Sequence, residues 1–252
     1  MACVIHPTAL VDASAELGLD VHVGPFCVVG EGVSLGDGTV LVAHVVLQGP
    51  LAMGVAGEIY PFAVLGGRAQ VRREDPEPGS LLLGDRVVVR EQVTVHRGTE
   101  GHATRVGSDV LLMAGAHVGH DASIGSHVVI SNAVQIAGHV TVEEHVTFGG
   151  LSGVAQWLRI GEGSFVAAGA MCEVDVPPFV IVQGDRARVR ALNKVGLARR
   201  GVPEASILAL EEAYRRLFVR KELPRRAAAE ALAAVDDPYV QKLRAAVLRV
   251  SA

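Results

Sequence analysis

The stretch VGSDVLLMAGAHVGHDASIGSHVVISNAVQI, residues 106–136, decides the fold, because an aliphatic side chain returns at every sixth position. The repeating residues of this stretch are Val106, Leu112, Val118, Ile124, Ile130 and Ile136. A period of six fits neither an α-helix nor the simple alternation of a half-buried strand. It is the period of hexapeptide repeats, which wind into a parallel β-helix.

The repeat extends far beyond this stretch. It starts at Ile5, runs in one phase to Leu65, returns at Leu83, and after a shift of one residue runs from Val106 to Cys172. Glycine often follows the repeating residue, and we expect it to permit the turn at each corner of a triangular coil of 18 residues. We therefore predict an all-β parallel β-helix over residues 1–186, left-handed as in known folds with this pattern. Loops are expected near 66–82 and 98–105, where the repeat is interrupted.

A different pattern begins after the segment DVPPF, residues 175–179. Beyond about residue 187 the sequence is rich in Ala, Leu, Arg and Glu, and apolar residues recur at helical spacing. Asp237 followed by Pro238 is a typical start of a helix. We predict a C-terminal α-helical domain over residues 187–252.

Composition excludes several classes of function. The net charge of −4 and the pI of about 6.2 do not indicate a general affinity for nucleic acid. Three widely spaced cysteines without a CxxC pair indicate neither a disulfide framework nor a thiolate zinc site. We recognise no signal peptide, and no apolar run approaches the roughly 20 residues of a membrane span. A cytoplasmic protein without a membrane span is therefore expected.

The 18-residue coil predicts which side chains stack after residue 106. His120 should lie beneath Gly138, and Asp121 beneath His139; His117 and Gln156 belong to the same region of wall. Imidazole accepts protons near neutral pH, a carboxylate can orient it, and a backbone N–H can stabilise an oxyanion. These residues predict an acid–base site. Metal binding by the histidines stays open at this point, although no clear third protein ligand is evident.

Several segments together carry a resemblance to a known family. They are IHPTALVD (5–12), HVGPFCVVG (22–30), EIYPFAVLG (58–66), VTVHRGT (93–99), VGSDVLLMAGAHVGHD (106–121), IAGHVTV (136–142), DVPPFVIVQG (175–184) and GLARRG (196–201). The chain resembles the UDP-N-acetylglucosamine O-acyltransferases over essentially its whole length. The resemblance implies a homotrimer with sites between subunits, and transfer of an (R)-3-hydroxyacyl group from acyl carrier protein to the glucosamine 3-hydroxyl, the first step of lipid A biosynthesis.

The resemblance also implies a role for individual residues. His120 would be the general base, Asp121 its support, and the Gly138 N–H the oxyanion donor. Residues that would line the sugar and acyl sites are Gln70, His117, His139 and Gln156, and residues that would contact nucleotide, phosphate or carrier are Asn193, Arg199 and Arg200. Ala168 stands where the family limits acyl length. No metal and no cofactor are expected, since the acyl donor is carried on the phosphopantetheine of acyl carrier protein; the UDP-sugar is the other partner.

Three positions depart from the family pattern: Val71, Ala155 and Val195 replace a loop aspartate, a histidine and an acidic residue. They leave open an acyltransferase of the same fold that acts on a related sugar nucleotide, such as a 3-amino sugar. Two other classes also stay open at this point. One is a zinc-dependent hydratase of the carbonic anhydrase type, and the other is a non-catalytic binding paralogue.

Overall fold

Three parallel sheets form the walls of the main body. A computed structural model describes residues 2–72, 79–220 and 222–250 of the chain. Successive hexapeptides supply one short strand to the first, the second and the third sheet in turn, so each of the first 23 strands pairs with the strand three further along the chain. The predicted parallel β-helix is therefore confirmed.

The strands of each sheet are short and are numbered in chain order. The first sheet contains β1 (Val4–Ile5), β4 (His22–Val23), β7 (Val40–Leu41), β10 (Glu58–Ile59), β13 (Val88–Val89), β16 (Leu111–Leu112), β19 (Val129–Ile130), β22 (Thr147–Phe148), β25 (Phe165–Val166), β27 (Val180–Gln183) and β28 (Arg188–Leu192). The second contains β2 (Leu10–Val11), β5 (Val28–Val29), β8 (Val46–Leu47), β11 (Val64–Gly67), β14 (Thr94–His96), β17 (His117–Val118), β20 (Gln135–Ile136), β23 (Gly153–Val154) and β26 (Met171–Cys172). The third contains β3 (Glu16–Leu17), β6 (Val33–Leu35), β9 (Leu51–Met53), β12 (Ser80–Leu83), β15 (Ala103–Val106), β18 (Ser123–Ile124), β21 (Thr141–Val142) and β24 (Arg159–Ile160).

The repeating aliphatic residues point inward and form the core. Leu65, Leu112, Ile130 and Ile136 are fully buried, and each stacks on the repeating residue of the coil below. Burying one such side chain stabilises the fold by about 1.5–3 kcal/mol. Because every coil adds three of them, the apolar column provides a stiff scaffold for whatever its corners carry.

Both interruptions of the repeat leave the scaffold at the same corner. The first joins β11 to β12 and the second joins β14 to β15, so each links the second sheet to the third. β12 begins at Ser80 and β15 at Ala103, inside the predicted loop ranges 66–82 and 98–105, so the segments outside the coil are narrower than expected. The part of the first loop at 73–78 lies outside the described residues.

The role expected for the glycines is wrong. The left-handed backbone that turns the chain lies three positions after the repeating residue, where side chains such as Phe26 (φ 56°), His44 (φ 51°) and Leu151 (φ 61°) adopt it. Glycines that directly follow the repeating residue serve a different purpose. A Cβ on Gly36 would lie 2.6 Å from the backbone of Gly54 in the next coil. These glycines therefore allow the coils to approach each other.

The last strands and the helices cover the upper end of the coil. β27 and β28 form an antiparallel hairpin, so the range 187–252 contains one strand before its helices begin. The helices are α1 (Lys194–Arg199), α2 (Glu204–Tyr214), a π-helical turn (Arg215–Val219), α3 (Arg225–Glu230) and α4 (Pro238–Val250). Asp237 starts α4 as predicted, because its Oδ1 accepts a hydrogen bond from the Val240 N–H at 2.9 Å. Among the described residues, no helix is long and apolar enough to cross a membrane.

Candidate active site

The predicted histidines lie at the corner between the second and third sheets, where both loops also emerge. β17 ends directly before Gly119 and His120, and β20 ends directly before Ala137 and Gly138. A groove of about 570 Å³ follows this corner. It is lined by Gln70, His96, His117, Gly119, His120, Gln135, Ile136, Ala137, Gly138, Gly153, Val154, Ala155, Gln156, Met171, Cys172, Glu173 and Asp185.

His120 and Asp121 form a hydrogen-bonded pair at the floor of this groove. The Nδ1 of His120 lies 2.7 Å from Oδ2 of Asp121, and His120 is only 7% exposed. The second loop fixes the carboxylate, because the N–H and the hydroxyl of Thr99 each donate to it at 3.0 Å. Burial alone would raise the pKa of Asp121, but the hydrogen bonds from His120 and Thr99 outweigh burial and hold this pKa below its usual value. Asp121 is therefore ionised at neutral pH.

An ionised carboxylate can only accept hydrogen bonds, so Nδ1 of His120 carries its proton toward Asp121. In a neutral ring the lone pair then resides on Nε2. This atom faces the bare Cα of Gly138: a Cβ placed there would lie 2.8 Å from Nε2. Among the described residues, no hydrogen bond uses the Gly138 N–H, so this donor is available next to the same Cα. The predicted stacking of Gly138 over His120 thus leaves room for a reacting group between a base and a donor.

Two further histidines, His96 and His117, add no charge to the groove at neutral pH. His117 shares a hydrogen bond with the Thr94 hydroxyl at 2.8 Å, and burial followed by the neighbouring His120 lowers its pKa. The ring of His96 lies edge-on to that of His117, with centroids 5.0 Å apart. Burial, then His117 and His120, lower the pKa of His96 to about 4. Both rings are neutral at pH 7, so neither opposes a positive charge that forms on His120.

His139 stands above Asp121, as the 18-residue spacing predicts. Its Nε2 lies 3.6 Å from Oδ2 of Asp121, and its ring meets that of His120 edge-on at 5.0 Å. On its other side the indole of Trp157 stacks on it, with ring centroids 3.7 Å apart. Partial burial is the main cause that lowers the pKa of His139.

His120, Asp121 and His139 could also be considered as metal ligands, since one donor atom of each lies within 4.8 Å of the others. In a tetrahedral zinc site, with ligand bonds of about 2.0–2.2 Å, two donor atoms stand about 3.3 Å apart. The 2.7 Å between Nδ1 of His120 and Oδ2 of Asp121 is a hydrogen-bond distance instead. The geometry therefore fits an acid–base pair better than a metal centre.

The structure brings some of the other predicted site residues together and separates others. Gln70 and Gln156 line the groove with His117 and His120. The groove of this chain is not lined by the predicted residues of the helical domain or by the predicted acyl-length residue, which are Asn193, Arg199, Arg200 and Ala168. Arg200 forms an ion pair with Glu162, and the Asn193 amide donates to the Gly163 carbonyl at 2.9 Å, both at the corner between the third and first sheets.

Sequence reasoning missed His96 and Thr99, because it predicted stacking only after residue 106, where the repeat has no further interruption. A signal for His96 exists in the sequence, because the restart of the repeat at Leu83 and Val106 gives the register across the second loop. That register pairs Thr94 with His117 and Val95 with Val118, so His96 comes directly after two residues that stack on the His117 strand. The contact of Thr99 with Asp121 has no such signal, because a loop has no repeat.

Comparisons with known proteins identify relatives of the chain. Residues 175–251 match the model of domain 2 of UDP N-acetylglucosamine O-acyltransferase, and residues 103–138 match the bacterial transferase hexapeptide model. A relative from Saccharophagus degradans, acyl-[acyl-carrier-protein]--UDP-N-acetylglucosamine O-acyltransferase, is 40% identical over 90% of this chain and 89% of its own length.

Solved structures extend the comparison to the whole fold. UDP-N-acetylglucosamine O-acyltransferase from Moraxella catarrhalis superposes with a TM-score of 0.92 at 37% identity, covering 97% of this chain and 96% of that one. The Arabidopsis UDP-N-acetylglucosamine acyltransferase superposes with a TM-score of 0.86 at 29% identity, covering 96% and 95% of the two chains. The predicted fold class, a left-handed parallel β-helix with a C-terminal helical domain, is confirmed. This chain belongs to the UDP-N-acetylglucosamine O-acyltransferase family.

Proposed function

We propose that the protein transfers an (R)-3-hydroxyacyl group from acyl carrier protein to the 3-hydroxyl of UDP-N-acetylglucosamine, the first step of lipid A biosynthesis. The observation that carries the proposal is the placement of His120. Its Nδ1 is held by ionised Asp121, and its Nε2 faces open space beside Gly138. The two substrates are inferred from family membership, and the reaction between them is inferred from the residues of the groove.

His120 acts as the general base. Its Nε2 takes the proton of the sugar hydroxyl, whose oxygen attacks the carbonyl carbon of the acyl thioester. The charge that develops on the carbonyl oxygen is stabilised by the Gly138 N–H. The carbon–sulfur bond then breaks, and the imidazolium returns its proton to the sulfur, which leaves an ester and the free phosphopantetheine thiol. Asp121 stabilises the imidazolium between these steps, and the protein needs no cofactor of its own.

The walls of the groove suit the two substrates. Ala137, Ala155 and Met171 supply small or apolar surface on successive coils, which can cover an acyl chain. Gln70 and Gln156 supply amide groups that can hydrogen-bond to sugar hydroxyls. In this proposal His117 and His139 position the sugar, and they do so as neutral rings because burial lowers their pKa values.

The complete site belongs to a homotrimer in this proposal. Asn193 and Arg200 contact Gly163 and Glu162, at one corner of the coil, whereas His120 lies at another. In this proposal one chain therefore does not place both Asn193 and Arg200 and its own His120 around the same sugar nucleotide. Two neighbouring copies can, if the helical-domain corner of one faces the His120 corner of the next, and closed threefold symmetry repeats that contact three times.

A second cavity, of about 680 Å³, lies between the terminal hairpin and α2. It is slightly larger than the groove but contains no histidine, so we do not place the chemistry there. Arg190, Lys194, Arg215 and Arg220 line it, opposed by Glu211, which pairs with two of them. We assign this cationic region to contacts with acyl carrier protein and with the phosphate of its phosphopantetheine. Arg199, which lies close to Lys194 in sequence, is assigned to the same contacts. The proposed setting is the cytoplasm.

Product analysis tests the reaction. Purified protein is incubated with a mixed pool of 3-hydroxyacyl carrier proteins and a panel of UDP-sugars that includes a 3-amino analogue, and products are identified by mass spectrometry. We expect the ester of UDP-N-acetylglucosamine, and a rate about 10²–10⁴-fold lower for His120→Ala. An amide product alone, or an unchanged rate for His120→Ala, would contradict the proposal. Zinc analysis of the same protein tests the metal-dependent alternative.

Subunit mixing tests the shared site. His120→Ala and Arg199→Ala are each expected to lower activity. They remove the base and an exposed cation of α1, the helix whose cap residues Asn193 and Arg200 lie at the opposing corner. In trimers assembled from equal amounts of both variants, roughly a quarter of the sites would regain an intact pair. Activity above that of either parent supports sites between subunits. Activity no higher than the better parent would mean that each chain forms its own site.

A further inference from the structure

Trp157 is the single tryptophan of the chain. It is 69% exposed, although an indole normally buries most of its surface. Its ring plane lies within 6° of that of His139, at a centroid distance of 3.7 Å. The residue before it, Gln156, lines the groove. A large apolar side chain thus covers one face of a site histidine and leaves its own outer face open.

His139 depends on this contact for its orientation. Among the described residues, its ring makes no hydrogen bond, and its Nε2 is 3.6 Å from the Asp121 carboxylate. That oxygen already accepts hydrogen bonds from His120 Nδ1 at 2.7 Å and from the Thr99 hydroxyl at 3.0 Å. Asp121 is therefore a weak anchor for the second imidazole. The stack with Trp157 and the edge contact with His120 hold the ring.

We propose that Trp157 is a positioning residue of the acyl-transfer site: it keeps the His139 ring over Asp121 and shielded from water, so that the carboxylate serves His120. The kinetic part of this inference rests on the proposed function. The stacking part does not, because it concerns only the contact between the indole and the imidazole.

The electrostatic reason lies in the groups that face His139. These are Asp121 and His120 from the coil below and His102 from the second loop. Asp121 favours the charged form of His139, whereas burial and the two histidines favour the neutral form. Removing the indole exposes the ring, so the pKa of His139 rises. A protonated His139 then competes with His120 for the same carboxylate oxygen, and the base loses part of its support.

A pH-rate profile tests the kinetic part. We expect Trp157→Ala to lower kcat/KM about tenfold at pH 6 but only about twofold at pH 8, and to move the acid limb of the profile to higher pH. Trp157→Phe should restore most of the loss, because it retains a stacking ring. Leu151→Ala is the matched control: Leu151 lies in the same coil, at the same repeat position, with 68% exposure. It should leave the profile unchanged.

Fluorescence tests the stack without any substrate. The emission of Trp157 should change with pH as His139 is protonated, and His139→Gln should abolish that change. A pH-independent emission, or a change that persists in His139→Gln, would overturn the inference even in an active enzyme. Equal kinetic losses in Trp157→Ala and Trp157→Phe, or a Trp157→Ala profile identical to that of the wild type, would also overturn it. Failure of the proposed reaction would instead show as an inactive wild type with an intact fluorescence titration.

Discussion

Replacing Gly138 by alanine places one methyl group in the space that the proposed mechanism requires. The new Cβ would lie 2.8 Å from Nε2 of His120 and 2.9 Å from its Cε1. Gly138 is not among the residues with a left-handed backbone, so the main chain accepts alanine without strain. The new methyl therefore clashes with the His120 ring alone. This ring is held in place by the 2.7 Å hydrogen bond between its Nδ1 and Oδ2 of Asp121.

The ring has to move by roughly half an ångström or more to reach an ordinary contact distance. That movement lengthens the hydrogen bond to Asp121, and the methyl occupies the place proposed for the sugar hydroxyl. Misplacement by about 1 Å costs on the order of 10²-fold in rate, and exclusion of the hydroxyl adds to this loss. We expect kcat/KM to fall about 10²–10³-fold, which corresponds to about 3–4 kcal/mol. Overpacking at a corner costs about 1–2 kcal/mol in stability, so Tm should fall by about 5 °C or less.

The assay compares kcat/KM, Tm and oligomeric state of Gly138→Ala with those of Gly150→Ala. Gly150 holds the same repeat position at a different corner, and a Cβ there would meet only the Asn132 carbonyl, at 3.4 Å. Gly150→Ala should retain wild-type activity. If Gly138→Ala kept its activity within about threefold, or if Gly150→Ala lost as much, the open face of Gly138 would not be the site of the hydroxyl.

Three further perturbations address single residues. Asp121→Asn should lower kcat about 10²–10⁴-fold with little change in KM, measured in steady-state kinetics, because an amide no longer selects the tautomer of His120 or stabilises its charge. His96→Gln should make the free energy of unfolding less sensitive to acid. The pKa of His96 falls from 6.5 to about 4 on folding, so the unfolded state binds more protons between these pH values. The stability of the wild type therefore declines as the pH drops through that window. Between pH 7.5 and 5, urea unfolding should show the wild type losing about 2 kcal/mol more than the variant. Ala168→Gly should shift the products of a mixed acyl pool toward longer acyl chains. An unchanged distribution of acyl lengths by mass spectrometry would refute the role of Ala168 in limiting acyl length.

The parts of the structure that follow the repeat could be predicted from sequence. The period of six fixes which side chains point inward, and the 18-residue coil then fixes what stacks on what. For this reason Gly138 over His120 and His139 over Asp121 were predictable without any coordinates. The register is strict because a slip of one residue would expose the whole apolar column.

The parts that depend on local sterics or on loops could not be predicted in the same way. The repeat suggests glycine for the turn, but left-handed backbone is supplied by residues such as Phe26, while Gly36 permits coil contact. The strand β28 follows the Pro177–Pro178 break, where no period remains to indicate it. Thr99 reaches Asp121 from a loop whose path the repeat does not determine. Each of these features depends on contacts between segments that the six-residue repeat does not relate to each other.

Three departures from the family pattern leave the contacts of the His120–Asp121 pair unchanged. Ala155 lines the groove one coil above Ala137, while the Val71 N–H donates to the Ala69 carbonyl within the first loop. Val195 is exposed on α1. Of the described contacts, none joins these three side chains to His120 or to Asp121. Substitution at these positions therefore changes what surrounds the substrates, and the base keeps its tautomer and its open face. We expect Val71 and Ala155 to act on KM for the sugar nucleotide, and Val195, which lines the second cavity, to act on KM for the acyl carrier protein. The His120–Asp121 pair should set kcat.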